Sequence, residues 1–143
     1  MTFKPLTEQR EWEWFKSRTH VLQCEDSQGV VAHEQGRIAA VCVIDSFSPD
    51  SCNVHLAIDS PIVIRHGFLH EICRHVFFTC NRNHFFGMVP SNNARALKFN
   101  EHIGMYEVAR IPDGVGTGTD YVILRMDKSE CRWITQPIKE EAA

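Results

Sequence analysis

Residues 89–108 read VPSNNARALKFNEHIGMYEV, and the order of elements along the chain follows from how this stretch is parsed. The preceding HFFGMV, residues 84–89, reads as a buried strand, which Pro90 closes because it has no N–H to give to a ladder. A helix follows from about 92 to 103, with Ala96, Phe99 and Ile103 on one face. Gly104 stands where a helix C-terminus turns left-handed. Beyond it, residues 106–111 and 119–127 read as two strands around the turn-rich PDGVGTGT.

Upstream lies the longest helical signal. Phe68, Leu69, Ile72, Cys73, Val76 and Phe77 recur at three- and four-residue spacing, with His66, His70, Glu71, Arg74 and His75 between them. Two starts are open for this helix: one near Arg65, and one with Ser60 as N-cap and Pro61 in the first turn. Before it, residues 29–34 (GVVAHE) and 37–45 (RIAAVCVID) read as a hairpin turned at Gln35-Gly36. A small polar loop, 46–51, leads to a third strand at 53–59 (NVHLAID). The first helix spans about 8–18, with Thr7 as N-cap and Trp12 and Phe15 sharing a face. The order α, β-β-β, α, β, α, β-β predicts an α/β (α+β) fold with a mixed sheet flanked by helices.

The chain has 143 residues and 16.4 kDa, the size of one domain, with an expected core at about 28–127 and a C-terminal tail at 128–143. Hydrophobic residues at 43% and charged residues at 23% exclude a disordered or fibrous chain. No apolar run approaches the ~20 residues of a membrane helix. The opening MTFKPLTEQREWEW has no apolar h-region, so the expected location is cytoplasmic, with no membrane partner. Fifteen Lys+Arg against 18 Asp+Glu give a net charge of −3, which argues against a nucleic-acid partner. Six cysteines without a C-x-x-C pair read as buried thiols rather than disulfides.

The stretch 89–108 resembles the GNAT superfamily of N-acetyltransferases, whose members often carry Asn-x-x-Ala-x-x-x-Tyr-x-x-x-Gly-Phe after a strand. Asn93, Ala96 and Gly104 fall at matching spacing, Met105 replaces the Phe, and Asn100 stands at the Tyr position. The element order resembles that family over roughly residues 28–126. The resemblance implies a GNAT-like mixed twisted sheet and an acetyl- or acyl-coenzyme A-dependent N-acyltransferase with a primary amine as acceptor, acetyl-CoA being the co-substrate. It implies cofactor contacts from the backbone of Ala57 and Ile58, from Asn93, and from a phosphate loop at the start of the long helix, Arg65, His66, Gly67 and Phe68. The family's Gln/Arg-x-x-Gly-x-Gly/Ala pattern starts here at Arg65, but its two small positions fall on Phe68 and His70, where bulk hinders backbone approach to a phosphate. For catalysis it implies His55 or Asp59 as the base that deprotonates the amine, and Tyr106 as the acid for the thiolate. Asn92 and Asn93 also suit a plain capping role.

Other constellations are weaker. His66, His70 and Cys73 share a helical spacing that suits a metal, although RHGFLHEICRH lacks the H-E-x-x-H order, and a solvated polar face is the plainer reading. No G-x-S-x-G is present, and GVGTG lacks a following Lys-Ser/Thr, so it reads as a hairpin tip. Trp133 is expected to dock on the body of the domain or on a partner. HLAIDSP, VPSNN and CRW also resemble small GNAT-like proteins of tailed bacteriophages. That resemblance implies an alternative: a catalytically degenerate fold acting through protein contacts as a virion or assembly component, in host cytoplasm or virion. A homodimer is the remaining partner expectation.

Overall fold

The computed structural model describes residues 1–136; residues 137–143 of the expected tail lie outside the described residues. Seven strands form one sheet: β1 (Thr2–Pro5), β2 (Gln28–Glu34), β3 (Arg37–Asp45), β4 (Ser51–Ile58), β5 (His84–Pro90), β6 (Tyr106–Gly116) and β7 (Thr119–Asp127). Their spatial order is β1-β2-β3-β4-β5-β7-β6, all antiparallel except the β4/β5 pair. The mixed, helix-flanked sheet is the one expected from the element order. The β2–β3 hairpin turns on Gln35 and Gly36, both left-handed at φ 50° and 77°, as a two-residue hairpin turn requires. Strand β1, four residues ending in Pro5, was not anticipated. It pairs with β2 from Thr2↔His33 to Pro5↔Val30.

Helix α1 (Gln9–Lys16) starts one residue later than expected, with Glu8 rather than Thr7 at the cap. Glu11 is the reason. Its Oε1 reaches back to accept the N–H groups of Glu8 (2.9 Å) and Thr7 (3.1 Å), while Oε2 sits 2.6 Å from Lys4 Nζ on β1. Burial alone would raise this carboxyl; the Lys4 ammonium and the two backbone N–H groups outweigh it and bring it down to about 2. Trp12 and Phe15, edge-to-face at 6.4 Å, bury α1 against Val31, Val41 and Val43.

The expected long helix is two helices. Gly67, at φ 97°, separates α2 (Ile62–Arg65) from α3 (Phe68–Arg74), and a π-helical turn continues α3 over His75–Thr79. The early start is the nearer of the two readings, with Pro61 itself at the cap position. Helix α4 (Ala94–His102) is capped by Asn93, whose Oδ1 accepts the Ala96 N–H at 3.1 Å, and it ends at Gly104, φ 110°. These helices cover the face of the sheet opposite α1, over the larger apolar cluster that includes Phe68, Phe77, Phe85 and Leu124.

The C-terminal segment docks on the body. Trp133 Nε1–H donates to the Ile103 carbonyl at 2.7 Å and Arg132 to that of His102, so two of the last carbonyls of the α4 region are satisfied from outside the helix. Trp133 meets His70 edge-on at 5.5 Å, and His70 Nε2 lies 3.1 Å from the Gln136 carbonyl. His70 is thus buried rather than on a solvated face. All six cysteines are free thiols. Cys24 is exposed and Cys80 half-buried, against the expectation that all are buried. No helix among the described residues is long and apolar enough to cross a membrane. Residues 112–116, expected as a hairpin tip, extend β6 instead, leaving Thr117 and Gly118 as the turn.

Glu11→Gln removes the buried charge of a pair whose Lys4 partner is partly exposed, and is expected to lower unfolding free energy by about 2 kcal/mol in urea titrations. Because the folded pKa lies near 2 and the ordinary value is 4.5, Glu11's contribution is complete above pH 4.5 and is lost as pH falls toward 2. The acid limb of the wild-type stability curve should therefore be steeper there than that of the Gln variant.

Candidate functional site

Strands β4 and β5 are joined over only three residue pairs, Ser51↔His84, Cys52↔Phe85 and Asn53↔Phe86. Each strand then continues along its other partner alone. β4 stays on β3 as far as Ile58, and β5 stays on β7 as far as Pro90↔Tyr121. The sheet twist carries the two halves apart, so the facing edges of residues 54–58 and 87–90 have no strand partner. Between them lies a cavity of about 780 Å³, a size typical of small-molecule and cofactor sites. Val54, Leu56 and Ile58 border it from β4, and Gly87 and Val89 from β5, Gly87 adding no side chain to the gap. Helix α4 forms a wall with Asn93, Ala96, Phe99, Asn100 and Ile103, positions that recur at helical spacing on one face. On the α1 side, residues 18–21 close the opening.

A polar cluster pins the joined end. His84 Nδ1 lies 2.6 Å from Asp127 Oδ1 and its Nε2 3.1 Å from Asp50 Oδ2. Tyr106 donates its hydroxyl to Asp127 Oδ2 at 2.6 Å, and Arg125 Nε donates to Oδ1. Partial burial would raise the Asp127 carboxyl, but the hydrogen bonds from Tyr106, Arg125 and His84 bring it down to about 2.

The expected site residues divide accordingly. His55 sits two residues beyond the last β4/β5 pair and borders the cavity, its Nε2 2.9 Å from Oδ1 of the buried Asp45. A neutral His55 that donates Nε2–H to Asp45 keeps its lone pair on Nδ1. Asp59 also borders the cavity, but Arg18 grips both its oxygens, Nε to Oδ1 at 2.8 Å and Nη2 to Oδ2 at 2.7 Å, and rests on Trp14. Arg18 holds the Asp59 carboxyl below its ordinary value and occupies the lone pairs a base would use. Tyr106 is at the joined end, its proton committed to Asp127 and its own pKa raised by that bond, so it does not reach the cavity. The other tyrosine, Tyr121, does border it, packed over Gly114 and level with Pro90. Tyr106 is the tyrosine nearest in sequence to Asn100, which stands at the motif's Tyr position; β-sheet register, which brings Tyr121 opposite Pro90, is the signal that sequence proximity lacks.

The cofactor residues divide too. Ile58 borders the cavity, whereas Ala57 packs toward α1. Asn93 caps α4 and borders the cavity at once, so its two readings are compatible. Arg65, His66, Gly67 and Phe68 do not border it. The His66 and Gly67 N–H groups go to the carbonyls of Ile62 and Ile64, and Phe68 is buried against Phe3, ring centroids 5.8 Å apart. The expected phosphate loop is therefore the turn between α2 and α3, set off the cavity, with the His66 and Gly67 donors bonded within the chain. Arg95, which the sequence reading passed over, lies beside Asn93 at the rim. Among the described residues no group of three His, Cys, Asp or Glu side chains is arranged to hold a metal. Cys73 instead shares a hydrogen bond with the free thiol of Cys131, which together with burial pushes its own thiol pKa up.

No protein-family profile matches the chain, and no curated protein sequence does either. Solved structures do match. Spermidine/spermine N-acetyltransferase SpeG from Vibrio cholerae superposes with TM-score 0.74 at 11% identity, covering 90% of this chain and 93% of that one. A Desulfovibrio desulfuricans protein described as a GNAT-family acetyltransferase gives 0.73 at 15%, covering 88% and 98%. The ribosomal-protein-S18-alanine N-acetyltransferase of Escherichia coli gives 0.64 at 19%, covering 88% and 92%. The fold is that of the GNAT acetyltransferases. Asn93→Ala should cost about 1 kcal/mol through loss of the α4 cap alone, read as a lowered urea midpoint with unchanged slope.

Proposed function

We propose that this protein is an acetyl- or acyl-coenzyme A-dependent N-acyltransferase acting on a primary amine. The observation that carries the reading is the fork between β4 and β5. Two unpaired strand edges face each other across an apolar-walled cleft, and a ligand that offers amide groups along an extended arm satisfies them as a third strand would. The pantetheine arm of coenzyme A has that chemistry, and the Asn93 side-chain amide, with its NH₂ left over from capping, stands beside it. The thioester supplies the activated acyl group.

The chain's own residues then have defined tasks. His55, held by Asp45, takes a proton from the acceptor ammonium on its free Nδ1, which makes the amine nucleophilic. Tyr121, whose hydroxyl has no hydrogen bond to the described residues, is the phenol available to the departing thiolate in place of Tyr106. Residues 18–21, with the Arg18–Asp59 pair, stand on the acceptor side. A second reading, a GNAT fold that works through protein contacts without catalysis, is favoured by one observation: Asn100 borders the cleft with an amide, which has no labile proton to give.

Calorimetric titration with acetyl-CoA separates the two. The enzyme reading predicts binding at about micromolar Kd, and no heat at millimolar ligand would contradict it. With an amine acceptor in hand, His55→Ala should lower kcat/KM about 100-fold or more while leaving acetyl-CoA affinity unchanged, as loss of a general base does.

A further inference from the structure

We propose that Arg95 is the phosphate anchor of the cleft, gripping the diphosphate of the acyl-CoA from α4 instead of from a loop before α3; the inference rests on the acyl-CoA reading above. A phosphate could be met from either of two sides of the cleft. On the α3 side Arg65, His66, Gly67 and Phe68 lie off the cavity, and the His66 and Gly67 N–H groups are bonded to Ile62 and Ile64, so among the described residues no cationic side chain from that side meets the cleft. On the α4 side, Arg95 stands at the rim, exposed, two residues after Asn93.

Charge singles it out. The lysine and arginine side chains bordering the cavity among the described residues are Arg18 and Arg95. Arg18 is neutralised by a bidentate contact with Asp59, the one carboxylate among the described residues that borders the cavity. Arg95 has no carboxylate within 4 Å among the described residues, so its charge is uncompensated at the mouth of a largely apolar cleft. Its place in the first turn of α4, which holds no acidic residue, also works against the helix, since the dipole disfavours a cation there. A guanidinium with free donors suits a phosphate dianion, which it binds bidentately.

The test compares two probes on three proteins by calorimetry: acetyl-CoA, and S-acetylpantetheine, which lacks every phosphate, on wild type, Arg95→Gln and Arg95→Lys. Arg95→Gln should weaken acetyl-CoA about tenfold or more, leave acetylpantetheine within about twofold, and flatten the salt dependence of acetyl-CoA binding. Arg95→Lys should recover part of the loss. Adenosine 3′,5′-bisphosphate, tested on the same proteins, should follow acetyl-CoA. Unchanged acetyl-CoA affinity in Arg95→Gln would overturn the inference and leave the acyl-CoA reading standing, as would equal weakening of both probes, which marks a packing role. Failure of wild type to bind either probe would remove the acyl-CoA reading and this inference together. Thermal midpoints of both variants at or above wild type are expected and exclude misfolding as the cause.

Discussion

Three residue pairs between β4 and β5 set the rest of the molecule. On their outer sides β4 pairs with β3 from Asn53 to Ile58 and β5 pairs with β7 along its whole length, so each belongs first to its own antiparallel unit. Twist accumulates within each unit and separates them beyond Asn53 and Phe86. The joint survives because polar and apolar groups hold the closed end. His84, Asp127, Tyr106 and Arg125 tie β5, β7 and β6 together, and Asp50 adds the segment that leads into β4. Phe77 and Phe85 stack nearby at 5.6 Å inside the core. The open end carries the opposite balance, with unpaired backbone edges beside an apolar wall. Backbone groups left without a partner are a standing cost unless water or a ligand meets them.

The same geometry divides the cleft into two sides. Toward α3 and α4 it is lined by Leu69, Ile72, Phe99 and Ile103, with Asn93 and Arg95 at the rim. Toward α1 it meets the Asp45–His55 pair and the Arg18–Asp59 pair, the second resting on Trp14. Ionisable pairs thus stand on one side of the sheet and the long apolar wall on the other.

Much of the fold was legible in the sequence, because the periodicities of 84–89, 92–103 and 37–45 are strong and Gly104 and Asn93 punctuate them. The elements that escaped are those decided by tertiary context. Strand β1 is four residues with a proline and forms only because β2 offers an edge. Gly67 lies inside an unbroken apolar pattern, so its left-handed turn between α2 and α3 is invisible to periodicity. Glu11 looks like an exposed helix residue until Lys4 arrives from β1. Of the expected site residues, His55, Ile58, Asp59 and Asn93 border the cleft, because the resemblance points to β4 and to the start of α4, the two elements that flank it. Tyr121 and Arg95 were not expected, because sheet register and the direction of α4 bring them to the cleft. Phe68 and Tyr106 went the other way, drawn off by Phe3 and Asp127.

Hydrogen–deuterium exchange resolved to single amides tests most directly whether the fork is a ligand site. In the free protein, amides of 54–58 and 87–89 that face the gap should exchange rapidly, while those facing β3 and β7 stay protected. Saturating acetyl-CoA should slow the gap-facing set selectively. Gap-facing amides already protected without ligand would mean the strands close on each other, and unchanged exchange at millimolar acetyl-CoA would mean that the cleft does not take this ligand.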